Sequence, residues 1–134
     1  GLPGRSLLEI AGAEDDPERI AFSEYFAAAA DRATFMIRRG AYKYIHYVGY
    51  EPELFDLESD AEEIDNLAKN PAHRSRVDEY EGVLRAMVDP DAVDEQAYRD
   101  QAALVKMHGG REVVLARGGI QGTPAPGEEA EFVT

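Results

Sequence analysis

Four short segments rich in β-branched and aromatic residues limit what this chain can fold into. They cover residues 19–26, 34–38, 42–48 and 53–57, and Gly, Asp, Pro and Ala residues interrupt the chain between them. A connection between two parallel strands needs a crossover of roughly a dozen residues or more, and the chain between these four segments is shorter than that. The pattern therefore predicts a four-stranded antiparallel meander, with the alanine run at 27–30 as one of its breaks.

Beyond the fourth segment the hydrophobic period changes to that of helices. Ser59 and Glu62 have the spacing of a capping box, which predicts a short helix at about 61–68. Asn70 followed by Pro71 predicts the N-terminus of a longer helix. Apolar residues recur along that helix at three- and four-residue steps and form one stripe, which consists of Val77, Tyr80, Leu84 and Met87.

Two further helical segments follow. One starts near residue 91 and runs to the glycine pair at 109–110, with an apolar stripe at Val93, Ala97, Leu104 and His108. The other covers 111–117, although its valine-rich run also suits a strand. The predicted fold class is therefore α+β, with a four-stranded antiparallel sheet packed with helices and a C-terminal helical extension.

These elements divide the chain into three parts. Residues 1–18 are predicted to be an irregular linker, 19–118 an α+β subdomain, and 119–134 a flexible tail rich in Pro, Gly and Glu. The first residue is Gly rather than Met, and no signal-peptide pattern follows it. We therefore expect a fragment of a longer protein, and the compartment stays open between cytoplasm and periplasm.

The charge of the chain argues against two classes of partner. Its 134 residues include 14 basic and 27 acidic side chains, a net charge of −13 at pH 7. Nucleic acids and anionic membranes carry the same sign, so neither is an expected partner. No apolar run approaches the ~20 residues of a membrane helix. Because the sequence has no Cys, disulfides and thiolate sites are excluded as well.

The sequence lacks the motifs of a self-contained active site. It has no G-x-x-x-x-G-K-[ST], no G-x-G-x-x-G, no H-E-x-x-H and no G-x-S-x-G. His46, His73 and His108 lie in different predicted elements and show no ligand spacing. We therefore predict no catalytic and no metal-binding residue in this chain, and an independent enzyme built on Tyr, His and carboxylates is the least favoured hypothesis.

Basic residues in and before the tyrosine-rich third strand are the one candidate binding feature. Arg38, Arg39, Lys43 and His46 could form an anion-binding edge. Strand alternation places His46 on the face of Tyr42 and Tyr44 and places Lys43 on the opposite face. The alternative is that the tyrosine rings are structural and the cations are solvated or paired with the acidic half.

Several short motifs occur in a recognisable order. They are FSEY at 22–25, MIRRGAYKYI at 36–45, ELFDLE at 53–58, the Glu pair at 62–63 and NLA at 66–68. This order resembles the carboxy-terminal subdomain of sulfatases of the arylsulfatase and choline-sulfatase type, within the alkaline phosphatase superfamily. GRSLL at 4–8 is similar to the segment that closes their catalytic domain, and Ala61 stands where the family often has Pro.

The resemblance implies an enzyme of two parts. A missing N-terminal catalytic domain would be the partner of this chain and would hold a Ca²⁺ or Mg²⁺ ion and a formylglycine nucleophile. That nucleophile forms in a C/S-x-P-x-R motif, which is absent here. The chain would serve as scaffold and substrate rim, inactive alone, with Arg38, Lys43 and His46 as candidate rim residues.

Two alternatives stay open beside this function. Phosphonate and phosphodiester hydrolases of the superfamily share the architecture, so the ester type is undecided. A non-catalytic binding module is the other alternative, with a homo-oligomer formed through the helices that follow Asn70.

Overall fold

The computed structural model describes residues 4–26, 30–120 and 132–133. The chain divides into two compact units, residues 1–90 and residues 91–134. The first unit contains α1 (Leu7–Ala11), β1 (Ala21–Tyr25), β2 (Thr34–Arg39), β3 (Tyr42–Tyr47), β4 (Glu53–Asp56), two 3₁₀ turns (Leu67–Lys69 and Pro71–His73) and α2 (Arg74–Met87). Helix α3 (Pro90–Met107) begins at the boundary, and the second unit continues with α4 (Arg111–Ala116), β5 (Gly119–Ile120) and β6 (Phe132–Val133).

The four strands form one antiparallel sheet in the order β1-β2-β3-β4. Gly40, with φ at 55°, is the first residue of the two-residue turn between β2 and β3, a conformation that glycine adopts without steric cost. This sheet, together with the helices that follow it, confirms the predicted α+β fold class. The strand bounds agree with the sequence-based segments to within two residues.

The core of the first unit lies between one face of the sheet and α2. Strand residues Phe35, Ile37, Tyr44 and Leu54 are buried together with Tyr80 and Leu84 of α2. Burying such a side chain fully is worth about 1.5–3 kcal/mol relative to leaving it in water. Asn70 caps the 3₁₀ turn that leads into α2, as predicted, because its Oδ1 accepts the backbone N–H of Ala72.

The prediction of a short helix at about 61–68 is wrong. The carboxylate of Asp60 accepts the backbone N–H groups of Ile64 at 3.1 Å and Asp65 at 2.8 Å, which competes with helical hydrogen bonding. Glu63 has φ at 56°, in the left-handed region. The segment is therefore a turn, and only Leu67–Lys69 forms a 3₁₀ turn.

The chain termini differ in part from the expected linker and tail. Within the segment predicted to be irregular, the hydroxyl of Ser6 accepts the N–H of Leu8 and starts α1. At the other end β5 pairs with β6 in an antiparallel ribbon. Residues 121–131 and 134 of the predicted tail, and 27–29 of the predicted alanine break, lie outside the described residues.

The helical extension follows the prediction closely. Helix α3 ends before Gly109 and Gly110, whose φ values of 96° and 91° stop it, and α4 is a helix rather than a strand. In the described part of the chain, no helix has the length and apolar character needed to cross a membrane.

Candidate functional site

The sheet separates the three candidate rim residues onto two faces. Arg38 of β2 and Lys43 of β3 are directly opposite each other in the antiparallel register, so they share a face. His46 is opposite Phe35, on the face that α2 covers. The structure thus brings Arg38 and Lys43 together and does not bring His46 to them.

Arg38 is exposed and lines an open cleft of about 500 Å³. The segment that leads into β1 forms the other wall, with Asp15, Asp16 and Arg19 among its residues. The side chains of Arg19 and Arg38 form no ion pair with any residue in the described ranges. Two guanidinium groups and two carboxylates therefore line one cleft without neutralising each other.

Lys43 is paired within the chain. Its Nζ lies 2.6 Å from Oε2 of Glu63, the one described residue other than glycine with a positive φ. The Asp60-centred turn sets the position of Glu63, because Asp60 bonds to the backbone on both sides of the turn. Lys43 is therefore an anchor between β3 and this turn in the present arrangement.

His46 belongs to a polar network between β3 and α2. Oε2 of Glu81 accepts the hydroxyl of Tyr44 at 2.8 Å and lies 2.9 Å from Nδ1 of His46, and Oε1 accepts Nε–H of Arg85 at 2.5 Å. Partial burial raises the pKa of the Glu81 carboxyl, but hydrogen bonds from Tyr44 and Arg85 outweigh burial and leave the pKa below its usual value. Glu81 thus holds α2 on the sheet.

Arg39, which was part of the anion-binding edge considered above, also faces α2. Its guanidinium bonds to Glu79, lies over the ring of Tyr80 at 5.0 Å and comes within 3.9 Å of Glu18. The Tyr80 hydroxyl in turn donates to the Arg39 carbonyl at 2.8 Å. The hydrogen bond to Glu79 raises the pKa of Arg39. The guanidinium of Arg39 is therefore engaged in contacts within the fold.

Sequence reasoning missed Arg19 and Glu81, among other residues of these arrangements. Arg19 lies in a segment predicted to be the start of a strand, and only the fold places it beside Arg38. Glu81 follows Tyr80 directly on α2, and the apolar stripe marked Tyr80 alone. The spacing of Glu81 and Arg85, four residues apart on one helix face, is the one local signal that could have indicated an ion pair.

Metal-ligating side chains do not converge in this part of the molecule. Across residues 4–26 and 30–120, no three His, Asp or Glu side chains form a group that could hold a metal ion. The Ca²⁺ or Mg²⁺ site that the sulfatase resemblance implies is expected in the catalytic domain, and no reaction step is assigned to the described residues.

Two curated sulfatases are similar to this chain in sequence. No family model matches it. Arylsulfatase K of Danio rerio is 33% identical over 108 residues, covering 74% of this chain and 20% of the relative. Choline-sulfatase of Rhizobium meliloti (strain 1021) is 35% identical over 105 residues, again covering 74% of this chain and 20% of the relative. The chain thus spans about a fifth of the length of these curated relatives.

A solved structure supports the same relationship at the level of the fold. A 2-O GAG sulfatase superimposes with a TM-score of 0.55 at 26% sequence identity, covering 73% of this chain and 22% of that chain. The motif order, the antiparallel sheet and these relatives agree. The chain is a sulfatase-related subdomain, and its resemblance to the carboxy-terminal subdomain of sulfatases is confirmed.

Proposed function

We propose that this chain is the carboxy-terminal scaffold and substrate rim of a sulfatase-like hydrolase that cleaves sulfate esters. The observation that carries the proposal is the match to two sulfatases over 74% of this chain but only 20% of theirs. Such a match is expected of a subdomain that completes a larger enzyme. In that enzyme the sheet and α2 form a rigid support, and Arg38 is the candidate rim residue that stays exposed.

The chemistry is assigned to the part of the enzyme that this chain does not contain. A formylglycine nucleophile and a Ca²⁺ or Mg²⁺ ion would lie in an N-terminal catalytic domain. The sequence of this chain has no C/S-x-P-x-R motif and no Cys. On this proposal the chain alone does not turn over substrate.

Sequencing the gene upstream of the Gly1 codon tests this proposal first. An open reading frame with C/S-x-P-x-R and acidic metal ligands supports it, and a frame without that motif contradicts it. The purified chain, mixed with 4-nitrophenyl sulfate and either Ca²⁺ or Mg²⁺, is expected to release no nitrophenol. Turnover that persists through further purification would contradict the inactive role.

The ester type is the part of the proposal that needs a separate assay. Phosphonate and phosphodiester hydrolases of the same superfamily are the alternative. The longer protein, once expressed, is compared on 4-nitrophenyl sulfate, bis-4-nitrophenyl phosphate and a phenylphosphonate monoester. A higher kcat/KM for the sulfate ester supports sulfatase activity, and a preference for either phosphorus ester assigns the chain to the alternative.

A second role, self-association through the helices, is supported by apolar exposure in the second unit. Leu104 and Met107 share one face of α3, three residues apart, and are 52% and 70% exposed. Val113 and Leu115 of α4 are exposed as well. We propose that this surface contacts another copy of the chain, and light scattering tests it as described below.

A further inference from the structure

The end of α3 and the whole of α4 carry a charge opposite to that of the chain as a whole. Residues 104–117 contain three basic side chains and one acidic side chain, a local charge of +2 in a chain of net charge −13. The basic residues are Lys106, Arg111 and Arg117. All three are exposed, and none forms an ion pair with any residue in the described ranges. Residues 104–117 therefore offer three cations to an external partner.

Exposed apolar side chains accompany these cations. Arg111 and Leu115 are four residues apart on α4 and share one of its faces. Val113 has the same spacing to Arg117, which follows the last helical residue. Together with the pair on α3 described above, four large apolar side chains of residues 104–117 are 43–70% exposed. Charge and apolar surface thus occur side by side along the segment.

Helix α4 buries little of its own surface. It has six residues, all of them described, and none of its side chains is buried. Helices shorter than about 12–15 residues are marginal in water, and helices in proteins are stabilised mostly by packing of an amphipathic face. A surface that covers the apolar side chains of α4 is therefore expected to stabilise this helix.

Most of the acidic residues of α3 lie far from this segment. Three of the four occur in the first six positions of the helix, namely Asp91, Asp94 and Glu95. Glu95 and Met107 are twelve residues apart, which is about 18 Å along the helix axis. That distance exceeds the Debye length of about 8 Å at 0.15 M ionic strength. Although the net charge of the chain argues against anionic partners, residues 104–117 are therefore locally positive.

An anionic partner that also offers apolar material is either a lipid surface or an acidic protein. Protein interfaces exclude charge from their apolar core and are depleted in lysine. Residues 104–117 instead place each arginine of this segment one helical turn from an exposed apolar side chain. Helices that lie in a membrane interface combine Lys and Arg at the headgroups with apolar side chains below them. The composition and spacing of the segment therefore favour a lipid surface.

We propose that residues 104–117 bind an anionic lipid surface. The three cations contact the lipid phosphates and carboxylates, and the exposed apolar side chains enter the boundary between headgroups and acyl chains. The contact is peripheral, since the segment lies on the membrane surface. This inference goes beyond the proposed function. It shares Leu104 and Met107 with the proposed contact between two copies, so lipid and a second copy compete for these side chains.

Sedimentation of the 134-residue chain with lipid vesicles tests the inference. The probes are vesicles of phosphatidylcholine and phosphatidylserine in equal parts, vesicles of phosphatidylcholine alone, and soluble polyglutamate as an acidic polypeptide. Binding to the anionic vesicles is expected to be at least about tenfold tighter than to the neutral vesicles. It is expected to weaken between about 50 mM and about 500 mM salt, where the Debye length falls from roughly 14 Å to about 4 Å. Contact between two copies has the opposite expected dependence on salt.

Substitutions localise the binding. Each Lys or Arg near an anionic lipid surface contributes about fivefold, so Arg111→Gln with Arg117→Gln is expected to weaken binding about 25-fold. Arg74→Gln with Arg99→Gln is the matched control. It removes the same charge from two exposed arginines, each of which pairs with a carboxylate four residues away on its own helix. The control variant is expected to bind the anionic vesicles as tightly as the parent chain.

Several results would overturn the inference. They are the absence of binding to anionic vesicles at low salt, equal binding to neutral vesicles, and equal effects of the two double variants. Binding of polyglutamate without binding of vesicles would assign the segment to an acidic protein instead. If Arg111→Gln with Arg117→Gln lowers the Tm, the parent chain decides, because vesicle binding that does not weaken with salt contradicts the role of the cations. None of these results bears on the sulfatase proposal, which the gene sequence and the ester assays test.

Discussion

Glu81 is the residue of α2 that makes polar contacts with two side chains of β3. Its carboxylate accepts hydrogen bonds from Tyr44 and Arg85 and contacts His46. The Tyr44 ring is buried, and burial raises the pKa of its phenol, so the hydroxyl stays a donor that needs an acceptor. We predict that Glu81→Ala lowers the free energy of unfolding by about 1–3 kcal/mol, measured by urea denaturation.

The control for this change is Glu95→Ala. Glu95 forms an exposed pair with Arg99 on α3, four residues along the helix, and such pairs contribute about 0.3–0.5 kcal/mol. A loss of stability equal to that of Glu81→Ala would contradict the role assigned to Glu81.

The same carboxylate predicts the pH dependence of stability. The pKa of Glu81 is lower in the folded chain than its ordinary value of 4.5. Its contribution is therefore fully present above that ordinary value and is lost as the pH falls through the lowered pKa. Between about pH 5 and about pH 3 the Tm of the parent chain is expected to fall more than that of Glu81→Gln. Parallel curves for the two proteins would show that Glu81 is not the titrating group.

Glu63 combines a favourable contact with an unfavourable backbone conformation. Its side chain pairs with Lys43, while its φ of 56° lies in the left-handed region, which costs a non-glycine residue roughly 1–2 kcal/mol. Glu63→Gly and Glu63→Ala both remove the ion pair, but only glycine removes the strain. We therefore predict that the glycine variant is more stable than the alanine variant by about 1 kcal/mol in urea denaturation. The opposite order would show that no strain is stored at Glu63.

At the scale of elements, Asn66 attaches the first 3₁₀ turn to the edge of the sheet. Its Oδ1 accepts the N–H groups of Leu54 in β4 at 3.1 Å and of Ala68 at 2.9 Å, and its Nδ2 donates to the carbonyl of Pro52 at 3.4 Å. Asn66→Ala leaves the N–H of Leu54 without this acceptor. We predict a loss of about 1–3 kcal/mol in the free energy of unfolding.

Asn66→Asp is the informative companion variant. It keeps the acceptor oxygen and loses only the weaker donor contact to Pro52, so its loss is expected to be smaller than that of alanine. Hydrogen exchange at the Leu54 amide reports the same contact directly and is expected to accelerate in the alanine variant. An unchanged exchange rate there would contradict the role of Asn66.

The strands could be predicted from sequence because each is a local pattern bounded by residues that interrupt strands. The turn at 57–66 could not, since the sequence offers several acidic residues and does not show that the carboxylate of Asp60 captures the two amides. Of the two arginines that line the cleft, the sequence analysis identified only Arg38, which precedes the third strand. Arg19 lines the same cleft because of the path that the chain takes into β1. Local patterns reveal elements, and distant residues that meet in space need the fold.

At the scale of the whole molecule, charge and apolar exposure act against each other. The net charge of −13 repels a second copy, whereas the exposed apolar face of Leu104 and Met107 favours association. Salt weakens the charge repulsion, because the Debye length falls from roughly 20 Å at 20 mM to about 4 Å at 500 mM. The association of apolar faces stays largely intact. The oligomeric state is therefore expected to depend on ionic strength.

We predict that the mass from light scattering rises from the 14.8 kDa of one chain toward twice that value as the salt concentration increases. The double variant Leu104→Gln and Met107→Gln removes the apolar face and is expected to stay monomeric at high salt. Leu7→Gln with Leu8→Gln is the matched control, since these leucines are 82% and 86% exposed on a helix of five residues, which offers little rigid surface. A monomer at every salt concentration, or equal suppression by both double variants, would show that the helical face of the second unit does not join two copies.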